Sequence, residues 1–318
     1  MTVGYDERWI EAPGRALRAE LWYPARQVAA PPIHYLRERA LLDALDGFYA
    51  AADSGRGWRL DRSHAGELRV AAFAAAPPAP GSHPVVLFSH GRAASALQNT
   101  TRVSDLASHG YVVVALEHPR TSLRSPLPGG GGLAFDPSLD DGDRIERAWA
   151  DLSLALDRLT ALEAHDPLAR IFDLGRVGAL GRAFGGSVVV LGASRDPRIR
   201  AVASLGGDPP ATALVAPLLQ MNSATAPERG GDLCIATKGP AWQLVVAGTG
   251  STSYSDTPYL PWLVPPPASA VGTIDRSRAA LIIGTCVAAF FDEQLGRTAG
   301  ALERAAGSFP EVAVTRRS

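Results

Sequence analysis

The chain has 318 residues, of which 46% are hydrophobic and 20% are charged, proportions that are ordinary for a soluble globular protein. Its formal net charge of −1 provides no bulk attraction to nucleic acids or to acidic membranes, so we expect neither as a partner. The sequence contains no apolar run of the roughly 20 residues that cross a bilayer, and its first residues lack the pattern of a secretion signal. We therefore expect a cytoplasmic location.

The first half of the sequence predicts several strands and one helix. Residues 17–23 alternate between apolar and polar side chains, which is typical of a strand. Residues 33–51 have helical spacing, and we interpret them either as a cap over a pocket or as a helix packed on the sheet edge. Residues 66–73 predict another strand. The apolar runs 84–89 and 111–116 are typical of strands buried on both faces of a parallel sheet.

The second half continues the alternation of strands and helices. Residues 125–143 are rich in glycine, proline and aspartate, and we expect a loop near the mouth of a pocket. Apolar residues from Ile145 to Leu159 form one helical stripe. Further strands are predicted at 201–205, 217–221 and 242–247, and a closing helix at 277–294.

This alternation, without internal repeats, predicts one doubly wound α/β domain spanning residues 1–318. Two segments interrupt it, and we interpret residues 31–60 and 121–143 as cap or lid insertions.

One short stretch indicates a site. Residues 178–190, GALGRAFGGSVVV, predict a strand, a sharp turn flanked by glycines and a helix. In the G-x-S-x-G nucleophile elbow the middle position is the attacking serine, whereas this sequence has Ala183 there. None of the seven histidines follows this turn; they are His34, His64, His83, His90, His109, His118 and His165.

Five segments in order resemble the α/β-hydrolase fold, in its branch of plasma-type platelet-activating-factor acetylhydrolases and dienelactone hydrolases. They are RALRAELWYPA, PVVLFSHGRAAS, LASHGYVVVALEHPR, DLGRVGALGRAFGG and TIDRSRAALIIGTCVAAFFDEQL. The resemblance implies a doubly wound, mostly parallel, eight-stranded sheet with cap or lid insertions. It also implies a Ser-Asp-His triad in that chain order.

The sequence departs from this family at all three triad positions. Ala183 replaces the serine, Gly206 stands where the family has its acid, with Asp208 two residues later, and Ser251 stands where it has its histidine. Three departures together favour a natural loss of the triad over a single engineered change. The backbone N–H donors of an oxyanion hole do not depend on residue 183, and we predict them at Phe184 and in the loop after His90 and Gly91.

Three residues are candidates for catalysis: His90 as an acid or base, Arg182 as an anion clamp, and Asp208 as a displaced acid or base. Each also has a structural alternative, namely a buried imidazole, an ion pair and a turn-stabilising aspartate. The expected substrate-binding residues are Gly91, Arg92, Glu117, Ala183, Phe184, Ser251 and Tyr254.

The cysteine residues and the amino-acid composition indicate no further functional site. Cys234 and Cys286 lack the spacing of a metal site, and we expect no metal and no other cofactor. Lys238 is the single lysine in a sequence rich in arginine, alanine and glycine, which is typical of a bacterial protein from a GC-rich genome.

The leading hypothesis from the sequence is a non-hydrolytic enzyme of small-molecule or specialised metabolism: a cyclase, lyase or isomerase that uses an oxyanion-type pocket on a carbonyl substrate. One alternative is a non-catalytic protein that binds or senses a small molecule. The other is a weak hydrolase in which Asp208 or His90 activates a water molecule. The expected partner is a small-molecule substrate or ligand, and a homodimer is left open.

Overall fold

The structure is a computed structural model that describes residues 1–52, 62–63, 65–162, 166–207, 212–225, 237–260, 268–296 and 298–317. Its strands are β1 (Thr2–Ala12), β2 (Arg15–Ala25), β3 (Ala72–Ala74), β4 (His83–Ser89), β5 (Val112–Leu116), β6 (Arg124–Pro126), β7 (Gly132–Ala134), β8 (Phe172–Arg182), β9 (Ile199–Leu205), β10 (Leu218–Ser223), β11 (Ala241–Val246) and β12 (Val312–Arg317). Its α-helices are α1 (Arg39–Ala52), α2 (Thr100–Ser108), α3 (Asp141–Thr160), α4 (Phe184–Ala193), α5 (Ala268–Val271), α6 (Arg276–Gln294) and α7 (Ala301–Gly307).

A ten-stranded sheet forms the centre of the fold, in the order β12-β11-β10-β9-β8-β4-β5-β2-β1-β3. The strands from β5 to β11 in this order run parallel, whereas β2 is antiparallel to both β1 and β5, and β12 is antiparallel to β11. Helices cover both faces: α2, α6 and α7 contribute to one core cluster, and α3 and α4 to the other. The predicted doubly wound, mostly parallel α/β architecture is confirmed.

The sheet has ten strands where the resemblance implies eight. The additional strands are at the edges: β12 at one end of the sheet and the three-residue β3 at the other. The run 66–73, which predicts a strand, contributes only Ala72–Ala74 with its last two residues, because the sheet ends there and only β1 offers hydrogen-bond partners.

The two segments that the sequence assigns to insertions contain small elements of their own. Helix α1 lies in the first, and its apolar face packs in a separate cluster with Tyr35, Leu97 and Leu260. In the second, β6 and β7 form a two-stranded antiparallel ribbon rather than an irregular loop.

A buried ion pair fixes the chain just before α1. The Arg37 guanidinium donates to both carboxylate oxygens of Glu20 at 2.9 and 2.8 Å. It also lies 5.0 Å from the ring centre of Tyr5 and 5.2 Å from that of Trp22, within the range of cation–π attraction. This contact attaches the α1 segment to β1 and β2.

The turn between β8 and α4 is possible only because its glycines lack side chains. A Cβ at Gly185 would lie 2.1 Å from the carbonyl oxygen of Ser89, and one at Gly181 would lie 2.1 Å from the carbonyl oxygen of Gly185. A Cβ at Gly186 would lie 2.2 Å from the Ser204 hydroxyl. Helix α4 therefore begins directly against the end of β4.

No helix among the residues that the structure describes combines the length and the apolarity that crossing a bilayer requires.

We expect Gly185→Ala to lower the free energy of unfolding by about 3 kcal/mol, because the backbone of β4 has to move to admit the methyl group. Chemical denaturation followed by far-UV circular dichroism measures this loss. Gly307→Ala in α7 is the matched control, since a Cβ there meets nothing within 4 Å. An equal stability of Gly185→Ala and wild type would contradict the packing described for the turn.

Candidate active site

Ala183 lies at the apex of the turn between β8 and α4, with backbone angles of φ 49° and ψ −118°. A non-glycine residue in such a conformation stores about 1–3 kcal/mol of strain. Hydrogen bonds hold it there: the Ala183 N–H donates to the Leu205 carbonyl at 2.8 Å, and the Gly186 N–H donates to the Ala183 carbonyl at 2.8 Å. The geometry is that of a nucleophile elbow, but the side chain at its apex is a methyl group.

A cleft of about 370 Å³ lies above this apex. The residues that line it are Arg92, Asp141, Arg182, Ala183, Phe184, Ser187, Gly206 and Gly207. A second cleft of about 180 Å³ adjoins it, because both have Arg92 and Arg182 in their walls. Its other lining residues are Phe48 of α1, Ala93, Ala94, Gln98, Asn99, Thr252, Ser255 and Thr257.

Two backbone N–H groups on the cleft wall are available to a ligand. Phe184 is the first residue of α4, so its N–H has no acceptor within the helix. Within the described parts of the chain, neither the Phe184 N–H nor the Arg92 N–H donates to another residue. Because both residues line the same cleft, their N–H groups are candidate donors to a carbonyl oxygen and to the oxyanion that develops from it.

Charged side chains line the same cleft. The Arg92 guanidinium donates to both oxygens of Asp141 at 2.9 and 3.0 Å. Both side chains are more than half exposed, so this ion pair contributes little to stability. The Arg182 guanidinium donates to the Ser251 carbonyl at 3.3 Å. A Cβ at Gly91 would lie 3.0 Å from the Arg182 guanidinium. Gly91 thus makes room for Arg182.

The imidazole of His90 is enclosed in the core rather than placed on the cleft wall. Its Nδ1 lies 2.7 Å from the Gly91 carbonyl, and its Nε2 lies 2.7 Å from the Ser122 hydroxyl. Since the carbonyl can only accept, Nδ1 carries the proton and Nε2 accepts from Ser122. Burial and the neighbouring His118 lower the pKa of His90 to about 3. The ring is therefore neutral and holds the loop after β4.

Beneath the turn, Ser89, His118 and Asp151 are connected like a hydrolase triad. The Ser89 hydroxyl lies 3.0 Å from His118 Nε2, and His118 Nδ1 lies 3.1 Å from an oxygen of Asp151. All three side chains are at most 1% exposed, and none lines either cleft. Asp151 also pairs with Arg15. With no access for a substrate, this chain of contacts fastens α3 to the sheet.

Glu117 and Tyr254, which we expected to bind substrate, are also buried in the core. The Glu117 carboxylate accepts from the Ser95 hydroxyl at 2.6 Å and from the Ala96 N–H at 3.0 Å. It lies 3.6 Å from His90 Nε2. Burial raises the pKa of Glu117 to about 7. Neither residue lines the cleft above Ala183.

The structure therefore brings together some of the predicted residues and leaves others apart. Four lie on the cleft wall: Arg92, Arg182, Ala183 and Phe184. The Ser251 carbonyl accepts a hydrogen bond from Arg182, and Gly91 lies close to the same side chain. Asp208 lies outside the described residues.

Sequence reasoning missed four lining residues: Asp141, Ser187, Gly206 and Gly207. Gly206 and Gly207 directly follow β9, so the rule that ligands bind at the carboxyl edge of a parallel sheet could have found them. Asp141 lies in the segment 125–143, which we expected near the mouth of a pocket, but the sequence did not single out this residue.

Among the residues that the structure describes, no group of three or more histidine, cysteine, aspartate or glutamate side chains is arranged to hold a metal ion.

Comparisons with known proteins agree on the fold and indicate hydrolases. Residues 1–125 match the family described as platelet-activating factor acetylhydrolase, isoform II. The platelet-activating factor acetylhydrolase of Canis lupus familiaris is 24% identical over 148 residues, and that of Cavia porcellus is 26% identical over 145 residues. Each alignment covers 37% of this chain and 33% of the relative, so the chain matches about a third of these relatives' length.

Two solved structures extend the similarity to the whole chain. A ferulic acid esterase from Streptomyces cinnamoneus superposes with a TM-score of 0.82 and 26% identity, covering 98% of this chain and 96% of its own. A dienelactone hydrolase from Anabaena variabilis gives a TM-score of 0.52 at 14% identity, covering 92% and 99%, which concerns the fold alone. The chain has the α/β-hydrolase fold and resembles the branch that its sequence segments indicate.

These findings correct the functional hypothesis. The prediction of a pseudo-hydrolase acting as a cyclase, lyase or isomerase, with a binding or sensory protein as its alternative, is wrong. The esterase that matches nearly the entire chain and the matching acetylhydrolases are hydrolases, so relatives of this chain suggest an enzyme of that class. The hypothesis rested on the three departures from the family's triad, and the absence of those residues does not exclude hydrolysis. The comparisons do not address the triad, and its loss stays a prediction.

We expect Glu117→Gln to change how stability depends on pH. Between pH 4.5, the ordinary value, and about 7, the raised pKa, the folded protein keeps a proton on Glu117 that the unfolded chain has released. This contribution to stability is therefore complete below pH 4.5 and is lost as the pH rises through 7. Glutamine cannot titrate, so the free energy of unfolding of wild type minus that of the variant should fall by about 1.4 kcal/mol per pH unit across this window.

Urea denaturation at a series of pH values measures this difference. Glu67→Gln is the control, because Glu67 is exposed and its replacement should leave the pH dependence unchanged. A constant difference between wild type and Glu117→Gln would show that the carboxyl group titrates normally in the folded protein.

Proposed function

We propose that the protein is a hydrolase of carboxylic esters and that its reaction takes place in the cleft above Ala183. The observation that carries this proposal is that Arg92 and Phe184 line one cleft and that their backbone N–H groups have no acceptor in the described part of the chain. Donors in this arrangement stabilise the oxyanion of acyl transfer. Similarity to an esterase across 98% of the chain supports the same reaction class.

The apex residue determines what attacks the ester. Ala183 offers no nucleophile, so we assign the attack to a water molecule in the cleft next to the bound carbonyl. Asp141 lines the same cleft, and its carboxylate is the candidate base for that water. Arg92 donates to both carboxylate oxygens, and this contact favours one orientation of the proposed base.

The steps balance without a covalent enzyme intermediate. The water oxygen attacks the carbonyl carbon while Asp141 takes one of its protons, and the N–H groups of Arg92 and Phe184 hold the resulting oxyanion. When the tetrahedral intermediate collapses, the bond to the alcohol oxygen breaks and the alkoxide takes the proton back from Asp141. The products are a carboxylic acid and an alcohol.

A site without a nucleophilic side chain limits the rate enhancement that we expect. An oxyanion hole and substrate binding alone provide about 10³–10⁴ over the uncatalysed reaction, which corresponds to about 4–5.5 kcal/mol of barrier. A reaction of this size is easiest to measure with esters that carry a good leaving group. Aryl esters of small acids are therefore the first substrates to examine.

We expect purified protein to hydrolyse p-nitrophenyl acetate or p-nitrophenyl butyrate faster than buffer, and Asp141→Asn to reduce kcat at least tenfold by removing the base. Release of p-nitrophenolate followed by absorbance measures both. Asp143→Asn is the matched control, since Asp143 is exposed in the same first turn of α3, and it should stay within twofold of wild type. Turnover equal to the buffer blank contradicts the proposed function, and turnover that Asp141→Asn leaves unchanged contradicts the role of Asp141.

Because water is the nucleophile in this proposal, the protein should gain no acyl group during turnover. Mass spectrometry of acid-quenched protein should give the unmodified mass for wild type at every time point. The assay covers every hydroxyl group of the chain, including Ser187 in the cleft and the buried Ser89. An acyl adduct on either serine would show a covalent mechanism and overturn direct attack by water.

A further inference from the structure

A separate pocket lies at the far end of α3 from the cleft above Ala183. Asp141, the first residue of α3, lines that cleft, whereas Arg158 and Leu159, near the end of the helix, line the separate pocket. An α-helix rises 1.5 Å per residue, so the two places are about 27 Å apart along the helix axis. No residue lines both.

The floor of this pocket is apolar and screened from water. It consists of side chains from β1, β2 and β5 together with the end of α3 and the following turn, and their exposures are between 0% and 7%: Ile10, Ala19, Leu21, Val114, Leu159 and Leu168. The small side chains of Ala19 and Ala161 leave space where larger residues would fill it. The volume that remains is about 260 Å³. An apolar cavity of about 150 Å³ is already large enough to hold benzene.

The rim of the pocket carries charges that balance. Arg8 pairs with Asp166 at 2.8 Å, and Arg158 donates to the carbonyl of Glu11 at 2.8 Å. Among the described residues that line the pocket, these two arginines and two acidic residues are the charged ones, so their formal charges balance. Trp9 completes it with a side chain that is 42% exposed. Neither a carboxylate nor an ammonium group on a ligand would find an excess of opposite charge here.

We propose that this pocket is a second small-molecule site, which binds an uncharged, mostly apolar molecule of roughly ten non-hydrogen atoms, such as a substituted benzene ring. Burial of the ligand's apolar surface against the aliphatic floor provides the affinity. The balanced rim disfavours charged analogues, because they would lose hydration without gaining a partner. The site is independent of the ester chemistry proposed above.

A matched pair of probes tests both the site and its preference. 2-Phenylethanol is uncharged, and phenylacetate has the same ring and chain with a negative charge. Isothermal titration calorimetry of wild type should give a Kd of about 1 mM or tighter for 2-phenylethanol and binding at least tenfold weaker for phenylacetate. Undetectable binding of 2-phenylethanol, or equal binding of the two probes, would overturn the proposal.

Substitutions at exposed positions locate the binding. Ala161→Trp places a large ring in the mouth of the pocket, and since Ala161 is exposed the chain should fold normally. It should weaken 2-phenylethanol at least tenfold without changing ester turnover. Ala299→Trp, at an exposed position in a different surface depression, is the control and should bind as wild type does.

Ala161→Phe, which adds a smaller ring, is a second variant in case Ala161→Trp does not fold, as judged by circular dichroism. Unchanged affinity in the folded variant would place the ligand elsewhere and overturn the assignment. The alternative occupant of the pocket is a second copy of the chain, and size-exclusion chromatography measures the oligomeric state. If wild type is a dimer and Ala161→Trp is a monomer, the pocket belongs to the dimer interface and the small-molecule proposal is overturned.

Discussion

The close contact between the start of α4 and the end of β4 is the constraint on which the site depends. It requires that Gly181, Gly185 and Gly186 have no side chains, since any Cβ there would overlap a backbone carbonyl or the Ser204 hydroxyl. The same contact forces the left-handed backbone at Ala183. Once these conditions are met, the first residue of α4 and the loop after β4 both contribute to the wall of one cleft. The proposed cradle for a carbonyl oxygen therefore depends on the backbone and on missing side chains, not on the residue at the apex.

The polar side chains beneath the turn support this arrangement from inside the core. His90 uses both ring nitrogens to hold its own loop, and His118 links the last residue of β4 to α3. Burial lowers the pKa of His90, so its neutral ring offers one fixed donor and one fixed acceptor to the loop. The same burial removes it from the substrate. A triad-like set of distances is thus insufficient to identify a catalytic site, because access to the hydroxyl group is a separate requirement.

Much of the fold could be predicted from the sequence because its signals are local. The apolar runs that became β4 and β5, the stripe of α3 and the glycines of the turn each reflect a periodicity or a steric need within a few residues. The wall formed by Arg92, Ala183 and Phe184 followed from the same local patterns. The positions of His90 and Glu117 could not be predicted, because strand-end side chains point into the core or into the cleft according to long-range packing. Asp141 was not singled out within the segment 125–143, although that segment was expected near the pocket mouth, because the path of the chain between β5 and α3 decides which of its residues reaches the cleft.

The strained conformation of Ala183 has a consequence for how such a chain can change over generations. The surrounding glycines and hydrogen bonds impose the conformation whether the apex bears a methyl group or a hydroxymethyl group. Alanine and serine differ there by one oxygen atom, and their codons can differ by one base. Evolution can therefore exchange these two residues without a change of fold. Related proteins can then share the fold while they differ in the atom that attacks the substrate.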